Sequence, residues 1–196
     1  MKRFTDAGRK AIKADNLYCA LSLALMIPDI CDSLEDPGPN KSRERYERWC
    51  KQWVEPKFTR SLGPNREKMI LISAEDCFQL RCSLVHSGSA DIAADKQKIL
   101  SRFEFVDRTA GVHMMWVEGL TINGVLQPNF LRLKADLFSE DMFKSADEWD
   151  AATKDDANMQ REKAKLLVIR TKGDATLGGV NVSAQRYSIA TLRPTT

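Results

Sequence analysis

The stretch Ser73-Ala74-Glu75-Asp76-Cys77-Phe78-Gln79-Leu80-Arg81-Cys82-Ser83-Leu84-Val85-His86-Ser87-Gly88 decides how the rest of the chain reads. Ser73 is a helix N-cap, and Asp76, three residues on, takes the place of a capping-box acid. Ser87-Gly88 supplies the stop, because glycine tolerates the left-handed conformation that ends helices. At 100° per residue, Cys77, Phe78, Leu80, Cys82, Leu84 and Val85 share one broad apolar arc. Arg81 falls in the middle of that arc. A guanidinium does not deprotonate, so it needs an acid, a phosphate or a water-filled cleft as partner. His86 follows five residues later at the helix end, and the two form an arginine–histidine pair suited to phosphate chemistry.

Outward from this helix, 17–35 reads as a helix capped by Asp15 or Asn16, apolar nearly all round up to Ile27 and therefore central to the core. Pro28 should bend it. Asp29, Asp32 and Glu35 put carboxylates on its second half; any of them can partner Arg81, with solvation as the alternative, above all for Glu35. A second helix, 43–55, carries Tyr46, Trp49, Cys50 and Trp53 at spacings of three and four, which predicts a core stripe. Its opposite face holds Arg43, Arg45, Arg48 and Lys51, read as a solvated face or, more sharply, as an RNA contact. A loop at Gly63-Pro64-Asn65 and a short helical turn lead to the Ser73 helix.

Beyond Gly88 the pattern changes. Segments 103–106, 112–117 and 130–137 are β-rich, and Asn123-Gly124 is a tight-turn signal. They predict a small antiparallel sheet within 99–137, with His113 packed or exposed in a strand. Ser139-Glu140-Asp141 is read as the cap of a long acidic amphipathic helix over 138–166. The tail 167–196 carries weak signals: 166–169 as strand or helix end, 173–179 turn-like, 180–192 as one more strand. One domain of 1–196 with a helical core at 10–90 is the expected organisation, mainly α with a small antiparallel β appendage, α+β overall.

The 196 residues have a formal net charge of +3, too small to argue for nucleic-acid binding alone. Its distribution is uneven: residues 41–68 hold nine Lys/Arg against four Glu, whereas 139–165 hold eight acids against five bases. One segment can face a polyanion that the other repels. Five cysteines without a Cys-x-x-Cys, and only two histidines, argue for reduced, buried thiols in a cytoplasmic protein rather than a zinc site. The apolar run 17–27 follows a basic N-terminus as in a signal peptide. Asp6 and Asp15 interrupt that region, no small-x-small cleavage site follows, and eleven residues fall short of the roughly 20 that span a bilayer. Asp147, Glu148, Asp150, Asp155 and Asp156 read as a solvated helix face before a metal site, and 173–179 lacks the Gly-Lys-Ser/Thr of a phosphate loop. No metal and no cofactor is expected.

The segment Arg81-Cys82-Ser83-Leu84-Val85-His86, on a helix preceded by an apolar helix and an aromatic one, resembles the HEPN superfamily of helical-bundle ribonucleases. The family motif is arginine, four to six residues, then histidine. Residues 20–35 with 80–88 further resemble a bacterial group of unassigned role. The likeness covers about 10–90 and leaves out the sheet and tail. Cys82 stands where family members often have a polar residue. The resemblance implies a HEPN-type bundle and metal-independent RNA cleavage, the 2′-hydroxyl attacking the adjacent phosphate. Arg81 and His86 are then catalytic, with Asp29, Asp32 and Cys82 in support, in a site shared across a homodimer. It further implies a toxin or phage-defence role, with RNA and an antitoxin or regulatory protein as partners and no membrane. The rival expectation is a non-catalytic dimeric module binding RNA, a nucleotide or a protein, in which Arg81 merely ties helices together.

Overall fold

A computed structural model describes residues 1–38, 42–62, 66–86, 102–169, 176–177 and 180–181. Two compact units result, 1–163 and 164–196. The first is mostly helical with small sheets, an α+β arrangement.

Its centre is α2 (Leu17–Glu35), which begins where the Asn16 side chain accepts the Cys19 N–H at 3.2 Å. Ala20, Leu21, Ala24, Leu25, Ile27, Cys31 and Leu34 are buried along it. This helix packs against α1 (Lys2–Lys13), α3 (Ser42–Trp53), α4 (Ala74–His86) and α5 (Ala135–Ala152). The α3 stripe of Tyr46, Trp49 and Cys50 is buried as its spacing predicts, while Trp53 is half-buried. From α5, Phe138, Met142, Phe143, Ala146 and Trp149 complete the core. One helix among the described residues, α2, is long and apolar enough to cross a membrane. Its 19 residues run past the apolar stretch at 17–27, so burial against four helices, rather than shortness, marks it as the core helix.

Helix α1 was not among the expected elements. It is anchored by Gly8, buried against the Phe143 ring, and by Arg9, whose guanidinium meets Glu140 at 3.0 Å and Asp147 at 2.8 Å. Where a helical turn was expected before α4, the chain makes a 3₁₀ turn, Glu55–Phe58, and an antiparallel hairpin of β1 (Thr59–Leu62) and β2 (Glu67–Ile70). Its connection, 63–65, lies outside the described residues.

The main sheet is mixed rather than antiparallel. Strands run in the order β3 (Phe103–Val106), β7 (Phe130–Lys134), β4 (Met115–Val117), with β3 parallel to β7. The chain leaves the β3 edge and returns through β4 and the hairpin β5 (Thr121–Ile122)–β6 (Val125–Leu126) before β7 inserts between them. Asn123 and Gly124, at φ +52° and +80°, form the tight turn they predict. His113 sits in the loop before β4 rather than within a strand, and β7 ends at Lys134 instead of continuing to 137.

The long acidic helix is in fact two. Helix α5 starts directly after β7 at Ala135, so Ser139 is buried inside it and caps nothing. It ends at Ala152, and α6 (Ala157–Ala164) follows. The Asp156 carboxylate accepts the N–H groups of Asn158 and Met159 at 2.8 and 3.1 Å, an N-cap that restarts the helix. Residues 166–169 form no regular element. In the second unit β8 (Thr176–Leu177) pairs with β9 (Val180–Asn181); of the strand expected over 180–192, residues 182–192 lie outside the described residues. Cys31, Cys50 and Cys77 are buried, Cys82 is half-buried and Cys19 is exposed, against the expectation of buried thiols throughout.

Candidate functional site

The capping box of α4 forms as its sequence dictates. Asp76 accepts the Ser73 backbone N–H at 2.9 Å and its hydroxyl at 2.8 Å, while Ser73 Oγ accepts the Asp76 N–H at 3.1 Å. Glu55 adds an acceptor for the Ala74 N–H at 2.7 Å, and Arg102 reaches Asp76 at 2.8 Å. Four side chains thus hold the start of α4. Its buried side is set by Ala74, Cys77, Leu80 and Ser83. Arg81 therefore stands at the margin of the packed face and not in its middle.

There Arg81 Nε donates to Asp29 Oδ2 at 2.8 Å, and Nη1 lies 3.9 Å from Cys82 Sγ. Both charged side chains keep 27% of their surface in water. Burial works against the cation, but the Asp29 carboxylate and the Cys82 sulfur outweigh it and hold Arg81 above its ordinary pKa. The guanidinium is thus permanently charged and partly open. An ion pair this exposed contributes about 0–1 kcal/mol, so the Arg81–Asp29 contact is not a strong lock. A guanidinium has five N–H donors, enough to serve a second anion beside the first.

Asp29 owes its place to the local structure of α2. Pro28, one residue earlier and buried, removes a helical hydrogen bond. In that turn the buried Tyr46 hydroxyl donates to the Leu25 carbonyl at 2.9 Å and lies 3.4 Å from the Cys77 carbonyl. One α3 side chain so ties α2 to α4 beside the ion pair. Asp32, the other acid of α2 considered for Arg81, is 1% exposed and is engaged by α3: Arg48 meets it at 2.8 Å and Arg45 at 3.8 Å. Burial raises the Asp32 pKa, with Arg48 pulling the other way.

The basic face of α3 is largely engaged. Arg43 pairs with Glu47 at 2.6 Å and Glu75 at 2.8 Å. Arg45 donates to the carbonyls of Asp36 and Gly38, closing the end of α2. Lys51 is exposed. His86 is the last residue of α4, and its side chain lies outside the described residues, as does Ser87-Gly88. Five residues along a regular helix separate two Cα atoms by about 140° and ~7.5 Å.

No protein-family model, curated protein or solved structure matches the chain. The geometry stands by itself.

Of the acidic residues weighed as metal ligands, Asp147 serves Arg9 and Thr5, Glu148 serves Lys57, Asp150 serves Lys163 and Asp156 caps α6. Among the described residues no three His, Cys, Asp or Glu side chains gather as a metal site. One polar device escaped the sequence reading. His113 Nδ1 accepts the Lys134 backbone N–H at 3.0 Å where β7 passes into α5, and its Nε2 is buried with no partner among the described residues. Burial lowers the His113 pKa; Asp141 and Asp136 oppose this, and Arg60 and Lys134 add to it. A histidine bonded to backbone carries no sequence spacing that would reveal it.

Proposed function

We propose that the chain is a metal-independent endoribonuclease of the HEPN type, acting as a homodimer with Arg81 and His86 in its active site. The observation that carries the reading is Arg81 itself: a cation on a capped, fixed helix, part-exposed and held by one displaceable carboxylate. Arg81 binds the scissile phosphate and stabilises the charge that develops on it. A histidine side chain, with an unperturbed pKa of about 6.5, exchanges protons around neutral pH; His86 takes the proton from the 2′-hydroxyl or returns one to the leaving 5′-oxygen. The 2′-oxygen bonds to phosphorus as the bond to the 5′-oxygen breaks, leaving a 2′,3′-cyclic phosphate and a free 5′-hydroxyl.

Proton removal and proton return call for two groups, and a second chain supplies the second histidine. The solvent side of α2 supports the dimer: Tyr18, 83% exposed, and Met26, 47% exposed, lie on the stripe that continues to Asp29. A cytoplasmic setting with free thiols and a toxin or defence role complete the proposal. The second reading, a non-catalytic dimeric binding module, draws on the fact that Arg81 already has a carboxylate partner. The two separate on purified protein incubated with mixed RNA and a chelator. Cleavage by wild type that is lost in a folded His86→Ala variant supports the enzyme; equal behaviour of the two proteins removes it.

A further inference from the structure

Many cations of the helical unit are answered by carboxylates, as Arg9 is by Glu140 and Arg43 by Glu47. The β1–β2 hairpin gathers three cations that, among the described residues, are not. Arg60 donates to the carbonyls of Lys57 and Thr59 at 2.7 and 3.0 Å, and its Nη2 lies 3.1 Å from Met114 Sδ. No carboxylate of a described residue stands within ion-pair distance of Arg60, Arg66 or Lys68. Glu67 is the one acid of the two strands. Every residue of β2 is exposed, Met69 and Ile70 at 40% and 50%. Arg60 stands opposite Met69, whereas Ser61 stands opposite Lys68, so cations occupy both faces of the ribbon. The Arg60–Met114 contact sets the first face beside the segment that leads into edge strand β4. There Trp116 is 41% exposed and its indole N–H is fixed to Glu118 Oε2 at 3.3 Å.

We propose that Arg60, Arg66, Lys68 and Trp116 form a binding track for single-stranded RNA, which feeds the Arg81 site; this rests on the ribonuclease reading above. Cations without a carboxylate partner and an exposed aromatic ring are the two components of single-strand recognition, one for phosphates and one for stacked bases, and the Arg60–Met114 contact links the two here. A flexible strand can follow both faces of the ribbon. An A-form duplex, whose major groove is deep and narrow, cannot, and a membrane meets one face only. The ribbon also adjoins the site in the chain. Helix α4 begins four residues after β2 ends, and Arg81 lies seven residues further, about 10 Å along the axis.

The test is fluorescence anisotropy of full-length protein with a labelled 2′-O-methyl oligonucleotide of mixed sequence, which cannot be cleaved, over a range of salt concentrations. Each phosphate contact contributes about 0.7 to the slope of log affinity against log salt on a single strand. Removing all three cations (Arg60→Ala, Arg66→Ala, Lys68→Ala) is expected to lower the slope by about 2 and weaken binding at least 10-fold at 0.1 M salt. Trp116→Ala is expected to weaken binding roughly 5-fold or more with the slope unchanged. Wild-type affinity and slope in the triple variant overturn the track, as does wild-type protein that binds anionic vesicles and not the oligonucleotide. The two readings fail separately. A protein that binds through the ribbon yet never cleaves natural RNA keeps the track and loses the nuclease. One that cleaves with an indifferent ribbon does the reverse.

Discussion

Gly8→Ala tests the least expected part of the fold, the docking of α1 on α5. A Cβ at position 8 falls 2.0 Å from Phe143 Cζ, 2.5 Å from Cε2 and 2.7 Å from Cε1. Carbon atoms settle at about 3.5–4.0 Å, and Phe143 is fully buried, so the ring has no open space to enter. In a free helix the substitution is favourable by about 1 kcal/mol. Overpacking a core costs about 1–3 kcal/mol, and an overlap this deep belongs at the upper end. The net expectation is a loss of about 1–2 kcal/mol, which lowers Tm by roughly 2–8 °C for a unit of this size. Urea unfolding of four proteins measures it: wild type, Gly8→Ala, Phe143→Leu and the double variant. Leucine lacks the far ring atoms, so Gly8→Ala should cost less in the Phe143→Leu background, a coupling of at least 0.5 kcal/mol. A Gly8→Ala protein as stable as wild type, with the two effects additive, would refute the packing of α1.

Three further outcomes are expected. The folded-state pKa of His113 lies below its ordinary 6.5, so its contribution is complete above that value and is lost as pH falls through the folded value. Wild type should lose stability more steeply than His113→Gln between pH 7.5 and 5, because burial disfavours the charged imidazole; parallel pH profiles contradict this. Asp76→Ala, which removes the acceptor for Ser73 and Arg102 together, should lower stability by about 1.5–3 kcal/mol, more than the roughly 1 kcal/mol of Ser73→Ala. Chemical denaturation ranks the two. Asp29→Asn should cost less than about 1 kcal/mol by the same assay, and a loss above 3 kcal/mol would mark the Arg81 pair as a structural lock.

Local signals were legible where local chemistry decides the outcome. Ser73 and Asp76 mark the start of α4, Asn123-Gly124 marks its turn, and Tyr46, Trp49 and Cys50 face the core. What escaped depends on partners distant in the chain. Helix α1 is held by Phe143 and Glu140, some 130 residues away, and no strong apolar stripe of its own announces it. The hairpin at 59–70 carries charges on both faces, so no alternation of apolar and polar residues announces it. The parallel pairing of β3 with β7 skips three strands. The break between α5 and α6 turns on a single Asp156 cap within a run of helix-forming residues. At the site, two acids competed for Arg81, and the choice fell to Asp29 because Arg45 and Arg48 of α3 engage Asp32. That competition among cations is visible only once α3 is packed on α2.

The central claim is that Arg81 holds a phosphate for attack by the neighbouring 2′-oxygen. It is tested most directly on an end-labelled RNA and its counterpart bearing one 2′-deoxynucleotide at the mapped cleavage position, each incubated with the pure protein and excess chelator. The account predicts a 2′,3′-cyclic phosphate and a 5′-hydroxyl at the cut, no cut at the deoxy position, and no product with folded Arg81→Ala. Cleavage at the deoxy position, or the same product from Arg81→Ala, would contradict it.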